Sequence, residues 1–277
     1  MLYLLLAIVS SALVSVIMRL SSHKVSGSTG MLAVNYLMCL AVAAVQTGGD
    51  ILPQSTGLAA AVGMGAVNGF FYLAGFVLLQ RSVKENGVVL SSVFMKLGLL
   101  VPMVVSVVLF GELPSAVQSA GFCMAVAAIV LINWEKGQMS VKIRADLLLL
   151  LLAGGSGDAM SKVFEELGDP ILSDLFLLCT FGAALILCLC LAVRKKERIG
   201  LWETMFGLLI GVPNYFSARF LLRSLEDLPA VIVYPSFSVA TILVVTLAGV
   251  CFFRERLGKR QWVALLAILL ALALLNL

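Results

Sequence analysis

One stretch of this chain occurs twice, and that most constrains what it can fold into. Residues 88–134 contain VSVVLFGELPSAVQSAGFCMAVAAIVLIN, and residues 231–277 contain TLAGVCFFRERLGKRQWVALLAILLALALLN. A shift of 143 residues puts Phe110 on Phe253, Glu112 on Glu255, Gln118 on Gln261, Leu131 on Leu274 and Asn133 on Asn276. Each copy is an apolar run, a short polar break with Glu and Gln six apart, and a second apolar run. Such a unit reads as two transmembrane helices joined by a tight turn. A fold that contains it twice is expected to be built twice.

The solvent of this fold follows from hydropathy. The chain is 61% hydrophobic and 12% charged, with a mean hydropathy of +1.10. Soluble domains carry about 25% charged residues. So much apolar surface cannot be hidden from water, and the chain reads as an integral membrane protein. Its start, MLYLLLAIVSSALVSVIM, lacks the basic region and cleavage site of a signal peptide and reads as the first span. The six cysteines lie in apolar runs. With one histidine and no CxxC they form no metal or disulfide pattern. No cofactor or metal is expected, and no nucleic-acid partner.

A span needs about 20 apolar residues. Ten can be cut, at 2–18, 31–47, 57–79, 87–110, 115–134, 145–163, 171–193, 202–222, 229–252 and 260–277. The basic stretch 135–144 joins two halves of five helices, residues 1–134 and 145–277. Fifteen of the nineteen Lys and Arg residues fall in the odd-numbered connections, counting Arg260 at the edge of the last span. By the positive-inside bias these are cytoplasmic, and both termini lie on the other side. Five is an odd number, so the second copy must insert upside down. The expected fold is all-α, with ten transmembrane helices as a 5 + 5 inverted repeat. Such repeats bind substrate near the midplane and work by alternating access.

The pattern resembles the EamA-like branch of the drug/metabolite transporter superfamily. FGELPSAVQSAG, FRERLGKRQWVA and Tyr234-Pro235-Ser236 carry the resemblance. The first half has Ser92-Val93 without the proline, and Ala264 stands where the first half has Gly121. The resemblance implies secondary transport of small metabolites, often export of amino acids or their derivatives. It also implies a central cavity lined by helices 1, 3, 4, 6, 8 and 9.

Lys96 is the leading candidate for a substrate contact. It lies about 13 Å into its span at 1.5 Å per residue. A lysine there costs about 2.5–3.5 kcal/mol on insertion scales, so it should face a cavity or a partner. It could meet a substrate carboxylate or phosphate, or titrate; its other reading is a lysine that snorkels to the cytoplasmic interface or makes a structural pair. Pro102 can break the helix and free carbonyls nearby. Asn68, Tyr72, Asn214 and Tyr234 are expected to line the same cavity; their other reading is interhelical hydrogen bonding. Asn35 and Tyr36 are weaker candidates. Asp158 and Lys162 are candidates for coupling or gating. They stand four apart, so a local salt bridge is the plain expectation. Gly154, Gly155 and Gly157 could let another helix come close or let their own helix flex. Arg219 is expected to snorkel, and Glu112 and Glu255 to cap the span that follows each.

Two other classes compete with transport. A membrane-embedded enzyme needs clustered His, paired acids or a nucleophile with its base. The single histidine, His23, and the absence of HExxH and GxSxG speak against it. A structural membrane protein would need neither Lys96 nor the repeat. There is no Walker A motif, so pumping would draw on an ion or proton gradient, or on that of the substrate. The reading is a monomeric multi-pass permease for a small molecule, such as an amino acid or organic anion.

Overall fold

A computed structural model describes residues 1–21, 24–25, 27–47, 57–86, 91, 94–132, 145–197, 199–253 and 258–277. The 135–144 joint, Ser92-Val93, His23 and Glu255 lie outside the described residues. The regular structure among the described residues is helical. The α-helices are α1 (Leu2–Ser21), α2 (Ser28–Gln46), α3 (Leu58–Asn86), α4 (Leu100–Phe110), α5 (Ala116–Ile132), α6 (Ala145–Leu167), α7 (Ser173–Lys195), α8 (Leu201–Asp227), α9 (Ala230–Phe253) and α10 (Lys259–Leu275). Among the described residues, seven helices are long and apolar enough to cross a membrane. The three stretches Phe94–Phe110, Ala116–Leu131 and Trp262–Leu275 are apolar but shorter.

Helix ends follow local chemistry. Pro102 lacks an N–H, so it cannot make the bond back to the carbonyl of residue 98. The chain just before α4 tightens into a 3-10 turn, Leu97–Leu99. α4 ends on Gly111, whose φ of 70° suits a residue without Cβ. α5 starts with a capping box: Gln118 N–H donates to Ser115 Oγ at 3.1 Å, and Ser115 N–H to Gln118 Oε1 at 3.0 Å. Asp169 accepts from Ile171 N–H at 3.0 Å and opens the Pro170–Leu172 turn into α7. Much of the outer surface is apolar. Val108 is 71% exposed, Leu149 53% and Leu266 65%, as lipid-facing positions should be.

The chain packs as two compact units. One comprises Met1–Leu73 with Val163–Glu226, the other Ala74–Lys162 with Asp227–Leu277. Each draws helices from both residues 1–134 and residues 145–277, and the boundaries fall within α3 and α6 and at the last residue of α8.

In the first unit α2 packs along α7. α3 approaches α7, and α8 approaches α2, through glycines. A Cβ on Gly65 of α3 would stand 2.7 Å from the Phe176 carbonyl on α7. One on Gly207 of α8 would stand 2.7 Å from the Met31 carbonyl on α2. Small residues allow this approach, and in lipid dispersion contact does the holding. Ala61 and Gly65 map onto Gly207 and Gly211 by one shift of 146.

In the second unit α5 lies against α10. Their shared core pairs positions related by the 143 shift: Ala125 with Ile268, Ala128 with Ala271, Phe122 with Leu265 and Ile129 with Leu272. Both members of each pair face one cluster. Gly121 meets Ala271 and Leu274 there, with 2.9 Å between its would-be Cβ and that of Leu274.

Candidate functional site

The second unit contains a glycine seam that carries two opposite charges. A Cβ on Gly154 of α6 would lie 2.8 Å from Met95 Sδ, and one on Gly98 would lie 3.0 Å from Gly155 N. The expectation that Gly154 and Gly155 admit a close helix is met by the segment leading into α4. Lys96 sits on that segment, half-buried. Asp158 follows Gly154 and Gly155 by one helical turn, on the same face of α6. Each is the other's charged neighbour. Among the described residues no hydrogen bond or contact ion pair joins them. Tyr234 of α9 is 1% exposed, and its hydroxyl donates to the Asp158 carbonyl at 2.6 Å.

Lys162 does not bridge to Asp158, as its spacing led us to expect. Its ammonium lies 2.7 Å from Glu112 Oε1, and its side chain is 2% exposed. The Phe110 ring lies 5.8 Å from the same ammonium. Glu112 is also used differently from the expectation. It does not cap α5, whose Ser115–Gln118 box already serves that end. It accepts instead from Ala230 N–H at 2.7 Å, at the start of α9, and from Ser106 Oγ of α4. Three donors from three elements converge on this one carboxylate, and no contact along α6 itself could match that. Glu112 lies in the turn between α4 and α5, outside the spans. Burial pushes its carboxyl up, but the bonds from Lys162 and Ser106 and the lysine charge outweigh it. The group is held below its ordinary 4.5.

The first unit holds the other predicted positions. Asn68 is 1% exposed; its amide donates to Thr180 Oγ1 at 3.4 Å, and its Oδ1 is buried without a partner. Asn214 donates to Asn35 Oδ1 at 3.3 Å and reaches Cys39 Sγ at 3.6 Å. Both are thus interhelical ties, α3 to α7 and α8 to α2. Tyr72 packs edge-on against Phe181 at 6.0 Å, and Tyr36 and Tyr215 flank the same ring at 6.5 and 6.0 Å.

Arg219 does not simply snorkel. It donates to Tyr215 Oη at 3.0 Å and to Asp174 Oδ2 at 3.2 Å. The guanidinium is paired because Asp174 stands in the first turn of α7, within its reach.

The five predicted substrate contacts therefore divide. Asn68, Tyr72 and Asn214 lie in one unit; Lys96 and Tyr234, with Asp158 and Lys162, lie in the other. Sequence reasoning missed Phe181, Thr180 and Asp174. Asp174 could have been flagged as an acid at the head of an apolar run; a phenylalanine among leucines sends no such signal. Missed too was Glu197, which accepts from Thr29 and Gly30 N–H at 3.1 and 3.2 Å and so caps α2 from the α7–α8 connection.

A helical chain with lipid-suited outer faces and paired charges within its helices is a multi-pass membrane protein. Comparison with known proteins makes this class specific. Residues 145–277 match the EamA-like transporter family. The chain is 33% identical over 94 residues to the probable 4-amino-4-deoxy-L-arabinose-phosphoundecaprenol flippase subunit ArnE of Proteus mirabilis, covering 30% of this chain and 82% of that one. It is 22% identical over 197 residues to an uncharacterized Haemophilus influenzae protein, covering 69% of this chain and 67% of that one. A solved crystal structure shares the fold, with a TM-score of 0.74 at 14% identity over 99% of this chain and 98% of that one. The chain belongs to the EamA-like family of the drug/metabolite transporter superfamily, whose members are membrane transporters.

Proposed function

We propose that the protein is a secondary transporter, an exporter of a small polar metabolite such as an amino acid or organic anion. It works by alternating access between two inverted halves of five helices, residues 1–134 and 145–277, as a monomer. The observation that carries this reading is the Lys96–Asp158 arrangement. Two opposite charges share one seam, within electrostatic range and out of contact. An intramembrane charge is costly, and a static protein would be expected to close such a pair or lose it. A substrate carboxylate at Lys96, with Asp158 for coupling or for a second polar group, would give both a use. The repeated ties support the two-half mechanism: α3 to α7 through Asn68 and α8 to α2 through Asn214. Energy would come from an ion or proton gradient, or from that of the substrate.

The test is a thermal-shift screen of amino acids, organic acids, phosphates and amines, followed by uptake into proteoliposomes. Lys96→Met should abolish binding of a carboxylate ligand while leaving the unfolding profile of the free protein intact. Unchanged transport by Lys96→Met would remove Lys96 from the site. A screen in which no polar solute shifts the melting temperature would count against the substrate class.

A further inference from the structure

We infer that the groove between α1 and α8 is a lipid site, which takes one acyl chain of an anionic phospholipid with its headgroup at Lys24. The inference does not rest on the transport reading. The groove has a volume of about 760 Å³, well within the usual ligand-pocket range of about 300–1,000 Å³. α1 lines it with Ser10, Leu13 and Ile17, and α8 with Met205, Leu209 and Phe216 among others. The Ser10 hydroxyl is the polar side-chain group in the lining, so the part of the ligand held here is hydrocarbon.

The concavity has local causes. Ser10 is small beside Leu13 and Ile17, the other α1 residues of the lining. Pro213 lies inside α8, where a proline removes one backbone bond and bends the helix. One end is closed by Tyr3 stacked on Phe220 at 6.2 Å and by Ser217 Oγ donating to the Ala7 carbonyl at 3.4 Å. Beside the groove, Val14 and Ile17 pack on Met31, Phe206 and Ile210 and hold α1 against α2 and α8. Met205 to Phe220 is about 22 Å of helix at 1.5 Å per residue. That is most of a hydrocarbon core about 30 Å thick, room for one extended chain.

The other end carries the charge. Trp202 continues the groove face of α8 one turn before Met205, and the exposed Lys24 holds its ammonium 4.3 Å from that ring. Trp and Lys at a helix end mark a membrane interface. The same end bears Arg194 in the last turn of α7; the adjoining Lys195 is taken up by Thr29 at the head of α2 and by Glu197, 3.9 Å away, which leaves Lys24, among the described residues, as the cation beside the groove. An apolar groove that opens under a cationic rim is complementary to an anionic headgroup on a long chain. A zwitterionic headgroup lacks the net charge to exploit it.

The test uses the whole protein, delipidated in detergent and titrated with phosphatidylglycerol or phosphatidylcholine of identical chains, with retained lipid read by native mass spectrometry. Phosphatidylglycerol should be retained about fivefold better, the ratio expected from about 1 kcal/mol per lysine near the surface. Lys24→Gln should erase that preference while chain binding persists. Ser10→Trp, which fills the groove, should reduce retention of both lipids. Brominated phosphatidylglycerol should quench Trp202, read as the difference between the wild type and Trp202→Phe; this arm stands even if Ser10→Trp does not fold. Equal retention of the two lipids by the wild type would overturn the headgroup assignment. Full retention by folded Ser10→Trp, or no Trp202 quenching, would overturn the site.

Discussion

Glu112 is the residue whose loss should be felt furthest. It joins Lys162 of α6, Ser106 of α4 and the first N–H of α9. Removing one partner of a buried pair leaves the other charge uncompensated, which costs about 3–5 kcal/mol. Glu112→Gln and Lys162→Met should each destabilise the protein by about that much, and the double variant by less than their sum. Thermal unfolding in detergent checks this; additive losses would mean the pair is not coupled. The pH dependence has a definite sign. The folded carboxyl sits below its ordinary 4.5, so its contribution is fully present above that value. It is lost as pH falls through the depressed folded value. The melting temperature of the wild type should therefore drop more steeply below pH 4.5 than that of Glu112→Gln. Parallel curves would contradict the linkage.

Among elements, the helix contacts made by glycine differ sharply in what they tolerate. A Cβ on Gly69 of α3 would lie 2.8 Å from Ala183 Cβ and 2.9 Å from Ala184 N on α7. Backbone cannot step aside, so Gly69→Ala should cost about 1–3 kcal/mol. Gly63, on the same helix, has nothing within 4 Å of such an atom. There Gly63→Ala should be neutral, or gain up to about 1 kcal/mol from helix propensity. Measured stabilities of the two variants separate packing from propensity directly. If both behave alike, the α3–α7 contact is looser than its geometry implies. The α4 segment is tuned in the same way, since Pro102 sets the 3-10 turn that brings Gly98 against Gly155.

For the whole molecule, the distribution of charge makes a prediction about sidedness. Fifteen of nineteen basic residues fall in the odd-numbered connections. Lys and Arg are retained on the cytoplasmic side. Residues 194–198 should react with a thiol probe from the cytoplasm in a single-cysteine scan, and Leu277 should be reached from outside. A reporter that places Leu277 in the cytoplasm would reverse the orientation.

Membrane class and helix positions were legible in the sequence, because partition into lipid depends on local composition. Most helices lie within a few residues of the apolar runs, but α3 runs on to Asn86, past the expected end at 79, and the span expected over 87–110 is α4 only from Leu100, after the Leu97–Leu99 turn. The family was legible too, in the repeated Glu–Gln breaks and the Tyr-Pro-Ser segment. Which side chain meets which was not. Lys162 has Asp158 four residues away and Glu112 fifty residues away, and local spacing favours the near acid. Tertiary packing chose Glu112, whose carboxylate also accepts from Ala230 N–H and Ser106 Oγ. The choice left Lys96 as the charged neighbour of Asp158. Asn68 and Asn214, expected from sequence either to line a cavity with Lys96 or to bond between helices, tie α3 to α7 and α8 to α2. An amide in hydrocarbon bonds the nearest partner the packing presents, and only the packing brings Thr180 and Asn35 there.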